Sequence, residues 1–307
     1  MLIAEFRSGF AALLGRPNVG KSSLCNHLVG DKVAIVSDKP QTTRRRILGV
    51  VHLPAGQLVL VDTPGVHRPR HQLGRRMLQE ARDAVDGVEV ACLVVDASAP
   101  QPGEGDRRAA QYVAAADVPR ILVLNKIDLV DATGPERDAR VAAYTALAAG
   151  RRPFDGVIAT SALSGEGVAE LRSALTAYLP PGPPYFPADV SSDQPEQVLA
   201  AELVREQALA RLREEVPHAV AVTVDQWLPR DNGMIYVGAT LYVERESQKG
   251  IVIGGGGGML RDIGAAARQE IERRLGSPVY LDLWVKVKED WRDRPGSLET
   301  LGFGRSR

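Results

Sequence analysis

The chain has 307 residues, of which 44% are hydrophobic and 25% charged, as is ordinary for a globular protein with a sizeable core. Its 38 basic residues balance 38 acidic ones, so the net charge gives no indication of a nucleic-acid partner. No apolar run approaches the roughly 20 residues of a spanning helix, and we expect no secretory signal at the N-terminus. Cys25 and Cys92 lie in apolar stretches, which predicts buried free thiols and a cytoplasmic protein.

Residues 8 to 179 alternate between apolar runs and helix-compatible stretches. A Pro-Ala-Gly turn separates ILGVVHL from QLVLVD and predicts a hairpin. The later runs VEVACLVVDA, RILVLNKID and GVIATSA are almost continuously apolar, which is typical of strands buried on both faces of a parallel sheet. Helices are predicted near 72–86, 104–116, 136–149 and 167–178. The pattern indicates a doubly wound α/β domain over residues 1–179.

A Pro-rich stretch, YLPPGPPYFPAD, follows this domain, and five of its twelve residues are proline. Neither a helix nor a strand continues through such a stretch, so residues 180–190 are predicted to be a stiff linker. Residues 191–307 then predict a smaller α+β domain. Its elements are a long helix over 194–216, two strands, two helices around a Gly-rich loop, and a closing strand.

The segment GRPNVGKS fits GxxxxGK[ST] and lies between a predicted strand and a predicted helix. Glycines in such a loop let backbone N–H groups converge on phosphate oxygens, and the helix N-terminus favours negative charge. Lys21 is predicted to reach the β- and γ-phosphates, and the Ser22 hydroxyl to ligate Mg²⁺.

The segment NKID at Asn125–Asp128 ends an apolar strand and selects the base. The Asp128 carboxylate can accept hydrogen bonds from guanine N1–H and the 2-amino group, whereas adenine would leave it unpaired. Asn125 is expected to brace the loops, with the Lys126 stem over the base. In TSA, at the end of the next strand, the Ala162 N–H is predicted to meet guanine O6.

Two polar segments between these motifs are predicted to respond to the γ-phosphate. In DTPG, Asp62 suits a water-mediated contact to Mg²⁺ and the Gly65 N–H suits the γ-phosphate. In QTTR, Thr43 is the first choice for a Mg²⁺ ligand and Thr42 the second, which makes the loop a switch. The predicted GTP-binding residues are Gly15, Arg16, Pro17, Asn18, Val19, Gly20, Lys21, Ser22, Ser23, Asp62, Thr63, Pro64, Gly65, Val66, Asn125, Lys126, Ile127, Asp128, Ser161 and Ala162.

The segment IVIGGGGGMLRDIG fits the loop of a KH domain of type II, with Gly254 and Gly257 as the GxxG pair that lets single-stranded RNA approach. Residues 188–307 hold 16 basic against 19 acidic residues, so RNA binding requires a local basic patch. The predicted RNA-binding residues are Lys249, Gly250, Ile253, Gly254, Gly255, Gly256, Gly257 and Arg261, and the other candidates for the patch are Arg268, Arg273 and Arg274.

The motifs GRPNVGKS, PQTTR, DTPGV, NKID and TSA, in this order, resemble a small bacterial GTPase. Together, PQTTRRRILGV and GIVIGGGGG resemble the Era family of ribosome-associated GTPases over about residues 8–303. The resemblance implies Mg²⁺-dependent hydrolysis of GTP to GDP, binding to the 3′ end of small-subunit ribosomal RNA, and a role in 30S subunit assembly. The family also includes members peripherally associated with the inner face of the cell membrane. We expect a monomer.

Val66 follows DTPG, where many GTPases carry a Gln that orients the attacking water. Asn18 is a candidate for holding a monovalent cation instead, because relatives with GRPN loops include potassium-activated GTPases. An equal alternative is that Asn18 only braces the switch. The predicted catalytic residues are Lys21, Thr43, Gly65 and Asn18.

Two other classes of protein stay open at this point. An RNA-binding module could use the nucleotide only as a structural ligand, and GTP turnover with and without RNA separates it from a switch. A P-loop kinase or ATPase is disfavoured by NKID.

Overall fold

The computed structural model describes residues 5–130, 135–148 and 152–304, which form two compact units. The first unit comprises Met1–Ala34, Thr43–Arg68 and Met77–Asp193. The second comprises Ile35–Thr42, Pro69–Arg76 and Gln194–Arg307. Two short segments from the first quarter of the chain therefore belong to the second unit. The sequence predicted a single boundary at residues 180–190 and did not predict these two segments.

The first unit is built on a six-stranded sheet. Its strands are β1 (Arg7–Leu14), β2 (Ile47–Leu53), β3 (Gly56–Asp62), β4 (Val90–Asp96), β5 (Arg120–Asn125) and β6 (Gly156–Thr160). They lie in the order β2-β3-β1-β4-β5-β6. Strands β2 and β3 form the predicted antiparallel hairpin, and the remaining pairs are parallel.

Helices cover both faces of this sheet. They are α1 (Lys21–Val29), α2 (Gln72–Asp83), α3 (Glu104–Ala115), α4 (Pro135–Thr145) and α5 (Val168–Ala177). One apolar cluster packs α1 and α5 on one face through residues such as Leu24 and Leu171, and another buries Val113 and Tyr144 on the opposite face. The doubly wound architecture is thereby confirmed. Residue 149 of the predicted helix 136–149 lies outside the described residues.

The Pro-rich segment is bound to the first unit. The Ser8 hydroxyl donates to the Pro183 carbonyl at 2.6 Å. The Gln57 side chain accepts from the Tyr185 N–H at 2.7 Å and donates to the Phe186 carbonyl at 2.8 Å. These hydrogen bonds satisfy backbone groups of the segment, so the predicted stiff linker packs against the first unit.

The second unit combines a three-stranded sheet with helices on one face. Its elements are α6 (Glu196–Arg211), α7 (Val216–Ala219), β7 (Ala221–Pro229), β8 (Ile235–Val243), α8 (Glu246–Ile253), α9 (Gly258–Leu275), β9 (Val279–Val287) and α10 (Pro295–Thr300). Strand β8 lies between β7, which is antiparallel to it, and β9, which is parallel. The order of the main elements is the one predicted for a type II KH domain. Among the described residues, no helix combines the length and apolar character needed to cross a bilayer.

The two early segments of the second unit are held by its later elements. Ile35 belongs to the apolar cluster around α6. The Val36 N–H donates to the Glu206 carboxylate at 2.9 Å, and the buried Arg205 guanidinium donates to the Thr42 carbonyl. Residues 69–76 are tied in the same way, since the Leu73 N–H donates to the Arg292 carbonyl at 2.9 Å.

Candidate functional site

The loop between β1 and α1 is a tight turn with no room for extra side chains. A Cβ on Gly15 would lie 2.2 Å from the Val94 carbonyl oxygen, and a Cβ on Gly20 would lie 2.2 Å from Asn125 Nδ2. Gly20 also has φ 93°, and Asn18 adopts φ 63°, which asparagine tolerates better than most residues. The loop therefore exposes backbone at the N-terminus of α1, as a phosphate site requires.

Lys21 is buried inside this loop. Its Nζ donates to the carbonyls of Gly15 at 3.2 Å and of Arg16 at 3.1 Å. Burial lowers the pKa of Lys21 to about 8, and the Asp62 carboxylate opposes that effect. A phosphate bound in the loop would place negative charge beside this ammonium group and stabilise its charged form.

Three predicted metal-binding oxygens converge at the start of α1. The Ser22 hydroxyl donates to Asp62 Oδ2 at 2.6 Å and lies 2.8 Å from the Thr43 hydroxyl. The second carboxylate oxygen, Asp62 Oδ1, is buried without a hydrogen-bond partner, and burial raises the pKa of Asp62 to about 6. A hard divalent cation would satisfy such a set of oxygens, so the residues fit Mg²⁺. The Thr42 hydroxyl instead donates to the Lys39 carbonyl at 2.7 Å, which leaves Thr43 as the better ligand.

The DTPG segment lies directly against the phosphate loop. The Val66 N–H donates to the Gly15 carbonyl at 2.9 Å, and the Thr63 hydroxyl donates to the Leu13 carbonyl at 2.7 Å. A Cβ on Gly65 would lie 2.6 Å from the Pro17 nitrogen, so only glycine allows this approach. The Val66 side chain is fully buried in the apolar core, where it cannot contact an attacking water.

Asn125 joins three loops at the base-binding end of the site. Its Nδ2 donates to the Val19 carbonyl at 2.7 Å, while its Oδ1 accepts from the Thr160 hydroxyl at 3.2 Å and the Ala162 N–H at 3.1 Å. The predicted bracing role of Asn125 agrees with this geometry. The Ala162 N–H, predicted to meet guanine O6, is directed at Asn125 here. Asp128 is exposed, as an acceptor awaiting a base would be.

Two carboxylates that the sequence analysis did not single out organise the surrounding loops. Asp96 accepts from Lys126 Nζ at 2.8 Å and pairs with Arg16 at 3.4 Å, and Arg16 also lies 3.3 Å from Asp106. Burial alone would raise the pKa of Asp96, but its hydrogen bonds to Lys126 and Ser98 lower it overall. The position of Asp96 at the carboxyl end of buried β4 was the signal available in the sequence. Ile127, by contrast, is a core residue.

The glycine loop of the second unit exposes its backbone. Gly254, Gly256 and Gly257 have φ of 72°, 57° and 78°, values that favour glycine. A Cβ on Gly254 would lie 2.7 Å from the Met259 Cβ, whereas a Cβ on Gly256 or Gly257 would have no neighbour within 4 Å. The backbone at Gly255–Gly257 is therefore open to a close-lying ligand, and RNA contact by the GxxG pair stays a prediction.

A groove of about 510 Å³ runs between this loop, α9 and β9. Of the candidate basic patch, Arg261 and Arg268 line the groove, and Arg261 also donates to the Gly256 carbonyl at 3.1 Å. Lys249 pairs with Glu246 at 3.8 Å, and Arg273 pairs with Glu270 at 2.6 Å. The patch at the groove is therefore smaller than the sequence predicted.

Comparison with protein families matches both units. A model described as "50S ribosome-binding GTPase" matches residues 10–126, and a KH domain model matches residues 215–292. Together with the phosphate loop, the oxygen cluster and the glycine loop, these matches define a P-loop GTPase that carries a C-terminal KH domain.

Curated relatives narrow this class. The chain is 46% identical to the GTPase Era of Heliobacterium modesticaldum over 97% of its length and 98% of the relative, and 48% identical to that of Carboxydothermus hydrogenoformans at the same coverage. Two solved structures superpose with TM-scores of 0.91 at 38% identity, covering 98% of this chain. One is Era with MgGDPNP and nucleotides 1506–1542 of 16S ribosomal RNA, and the other is an Aquifex aeolicus Era variant bound to GDP·AlF4⁻. The chain belongs to the Era family of GTPases.

Proposed function

We propose that this GTPase is a Mg²⁺-dependent switch that binds the 3′ end of small-subunit ribosomal RNA and acts in 30S subunit assembly, as a cytoplasmic monomer. The observation that carries the proposal is the pairing of an oxygen cluster suited to MgGTP with an open glycine loop beside a groove. A relative of 38% identity was solved with both kinds of ligand. Peripheral membrane contact stays an expectation from the family resemblance.

The residues of the first unit have separate tasks in nucleotide binding. Ser22, Thr43 and Asp62 would hold Mg²⁺, which supplies charge neutralisation at the β- and γ-phosphates. Lys21 and the loop backbone bind the phosphates, and the Asp128 carboxylate accepts from guanine. Because the Thr43 hydroxyl joins the metal only while the γ-phosphate is present, we expect residues 37–43 to rearrange after hydrolysis.

We also propose that a monovalent cation, K⁺, assists hydrolysis at Asn18. The buried Val66 supplies no polar group for the attacking water, so charge between the β- and γ-phosphates must be offset elsewhere. Asn18 lies at the turn of the phosphate loop with φ 63°.

Binding of a labelled fragment of the 16S RNA 3′ end, measured with Mg²⁺ and a GTP analogue, tests the RNA function. Gly257→Asp should abolish binding, because it places a side chain and a negative charge in the open space beside the loop, and Gly254→Asp should do so because its Cβ would clash with Met259 and shift the loop. Gly255→Lys should strengthen binding and steepen its salt dependence by roughly one counterion.

The matched control is GTP affinity, which all three variants should retain. Failure of the wild type to bind the fragment would refute the RNA function. If none of the three substitutions changes the RNA affinity, this loop is not the RNA contact.

A further inference from the structure

The face of the β7-β8-β9 sheet opposite α6 and α9 is aromatic. Leu281, Leu283 and Val285 of β9 pack into the core, so the alternate residues Tyr280 and Trp284 lie on the opposite face. Tyr280 is 55% exposed and Trp284 is 41% exposed. On β8 the same face carries Tyr236, which is paired in register with Tyr280.

These rings form an ordered surface. The rings of Tyr236 and Tyr280 stack with centroids 5.8 Å apart and planes at 14°, and the Arg230 guanidinium lies 5.4 Å from the centre of the Tyr236 ring. Gly238 lies between the two aromatic positions. A Cβ there would lie 3.2 Å from the Trp284 ring and 3.4 Å from the Tyr236 ring. Because glycine has no side chain, both rings can pack close to the backbone of β8.

This surface is continuous with the groove. Asp282 stands between Tyr280 and Trp284 on β9 and also lines the groove beside the glycine loop. It lies 3.4 Å from the Tyr236 hydroxyl, which places its carboxylate on the aromatic face. Strand β9 is the outer strand of the sheet, so a chain that occupies the groove can turn around its edge onto the aromatic face without leaving the protein.

The chemistry of the face suits nucleobases better than phosphates. Asp282 and Asp225 would repel a phosphate backbone, but a carboxylate accepts readily from base amino groups. Asp225 is already engaged by the hydroxyls of Thr223 at 2.7 Å and Thr240 at 2.6 Å, which leaves Asp282 for a ligand. Arg230 and Lys286 are exposed cations at the margin of the face, and Lys288 Nζ lies 5.8 Å from the centre of the Tyr242 ring.

We propose that Tyr280 and Trp284 are stacking positions for single-stranded RNA that continues out of the glycine-loop groove, with Asp282 accepting from a base at the turn. This site rests on the proposed RNA function and extends its footprint to a second face of the KH domain. Stacking on aromatic side chains tolerates different bases, so the surface would add affinity for a longer RNA without adding strict sequence specificity.

Two RNAs of different length test the site: a fragment of about five nucleotides that fills the groove, and one extended by about six nucleotides. Tyr280→Ala and Trp284→Ala should each weaken binding of the longer RNA by roughly 5- to 10-fold, the lower part of the range for base stacking, and leave the shorter RNA unaffected. Leu228→Ala is the matched control, because Leu228 is 54% exposed on the same face and offers no ring.

A spectroscopic signature separates stacking from a structural effect. The longer RNA should quench Trp284 fluorescence, and Trp284→Phe should keep the affinity while losing that quenching. Unchanged GTP affinity and thermal stability show that a variant is folded.

The outcomes separate this inference from the proposed function. If Tyr280→Ala and Trp284→Ala bind the longer RNA as tightly as the wild type does, the stacking site is refuted while the proposed function stands. Failure of the wild type to bind either RNA refutes the proposed function. If these variants keep normal affinity for RNA but no longer associate with purified 30S subunits, the face binds a protein, which also overturns the inference.

Discussion

Replacing Asp62 by Asn tests the electrostatic state of the nucleotide site in the protein without nucleotide or metal. The Asp62 carboxyl is fully buried, and one of its oxygens has no hydrogen-bond partner. Burial raises its pKa from 3.8 to about 6, although Lys21 and the Ser22 hydrogen bond act against the rise. Asparagine has the same shape and no charge, so the variant should escape the cost of burying a carboxylate.

The size and pH range of the effect follow from the pKa. A rise from 3.8 to about 6 corresponds to about 3 kcal/mol of free energy of unfolding. Below about pH 4 the carboxyl is protonated in the folded and unfolded states, and the cost is absent. Between about pH 4 and pH 6 the unfolded chain loses its proton first, so the wild-type folded state loses stability as pH rises. Above about pH 6 the full cost applies.

Urea denaturation in EDTA, from about pH 4.5 to pH 7.5, measures the difference. The free energy of unfolding of Asp62→Asn minus that of wild type should rise by about 2 kcal/mol over this range, because about 1 kcal/mol of the cost already applies at about pH 4.5. Asp128→Asn is the matched control, because it makes the same substitution at an exposed carboxylate, where a change usually alters stability by less than about 0.5 kcal/mol. A flat difference for Asp62→Asn would refute the reasoning. With Mg²⁺ and a GTP analogue added, wild type should gain more stability than Asp62→Asn.

Three further predictions concern nucleotide choice and turnover. Asp128→Asn should weaken GTP and GDP by on the order of 2–4 kcal/mol and favour xanthosine nucleotides in titrations; unchanged GTP affinity would contradict the placement of the base. Turnover should be faster in KCl than in NaCl at equal ionic strength, and Asn18→Ala should remove the difference; a potassium response that survives the change excludes Asn18 as the cation ligand. Gly65→Ala should lower affinity for GTP analogues more than for GDP, because its Cβ would lie 2.7 Å from the Pro17 Cα; equal affinities would show that the segment shifts freely.

The parts of the fold that depend on local pattern were predictable. The phosphate loop, the hairpin of β2 and β3, and the glycine loop each depend on a short run with glycine or proline at particular positions. Thr43 was preferred to Thr42 from the sequence, and the structure places the Thr43 hydroxyl 2.8 Å from that of Ser22.

Contacts between residues distant in sequence were not predictable. The place of Asp96 at the end of the buried strand β4 indicates a binding edge, but it does not reveal that Asp96 pairs with Lys126 and Arg16. The proline content of residues 180–190 predicted a stiff linker, because proline excludes helices and strands. Composition does not reveal that the distant Gln57 side chain binds the backbone of this segment. The engagement of the Ala162 N–H by Asn125 depends on the register of two neighbouring strands.

The membership of residues 35–42 and 69–76 in the second unit has a consequence for synthesis on the ribosome. These segments emerge early, but Ile35, Val36 and Leu73 find their partners on α6 and near Arg292, which are translated much later. The chain therefore cannot complete its folding in the order in which it is made, although domains generally fold from the N-terminus onwards. The segment 35–42, which directly precedes Thr43, acquires these neighbours only after α6 has been translated.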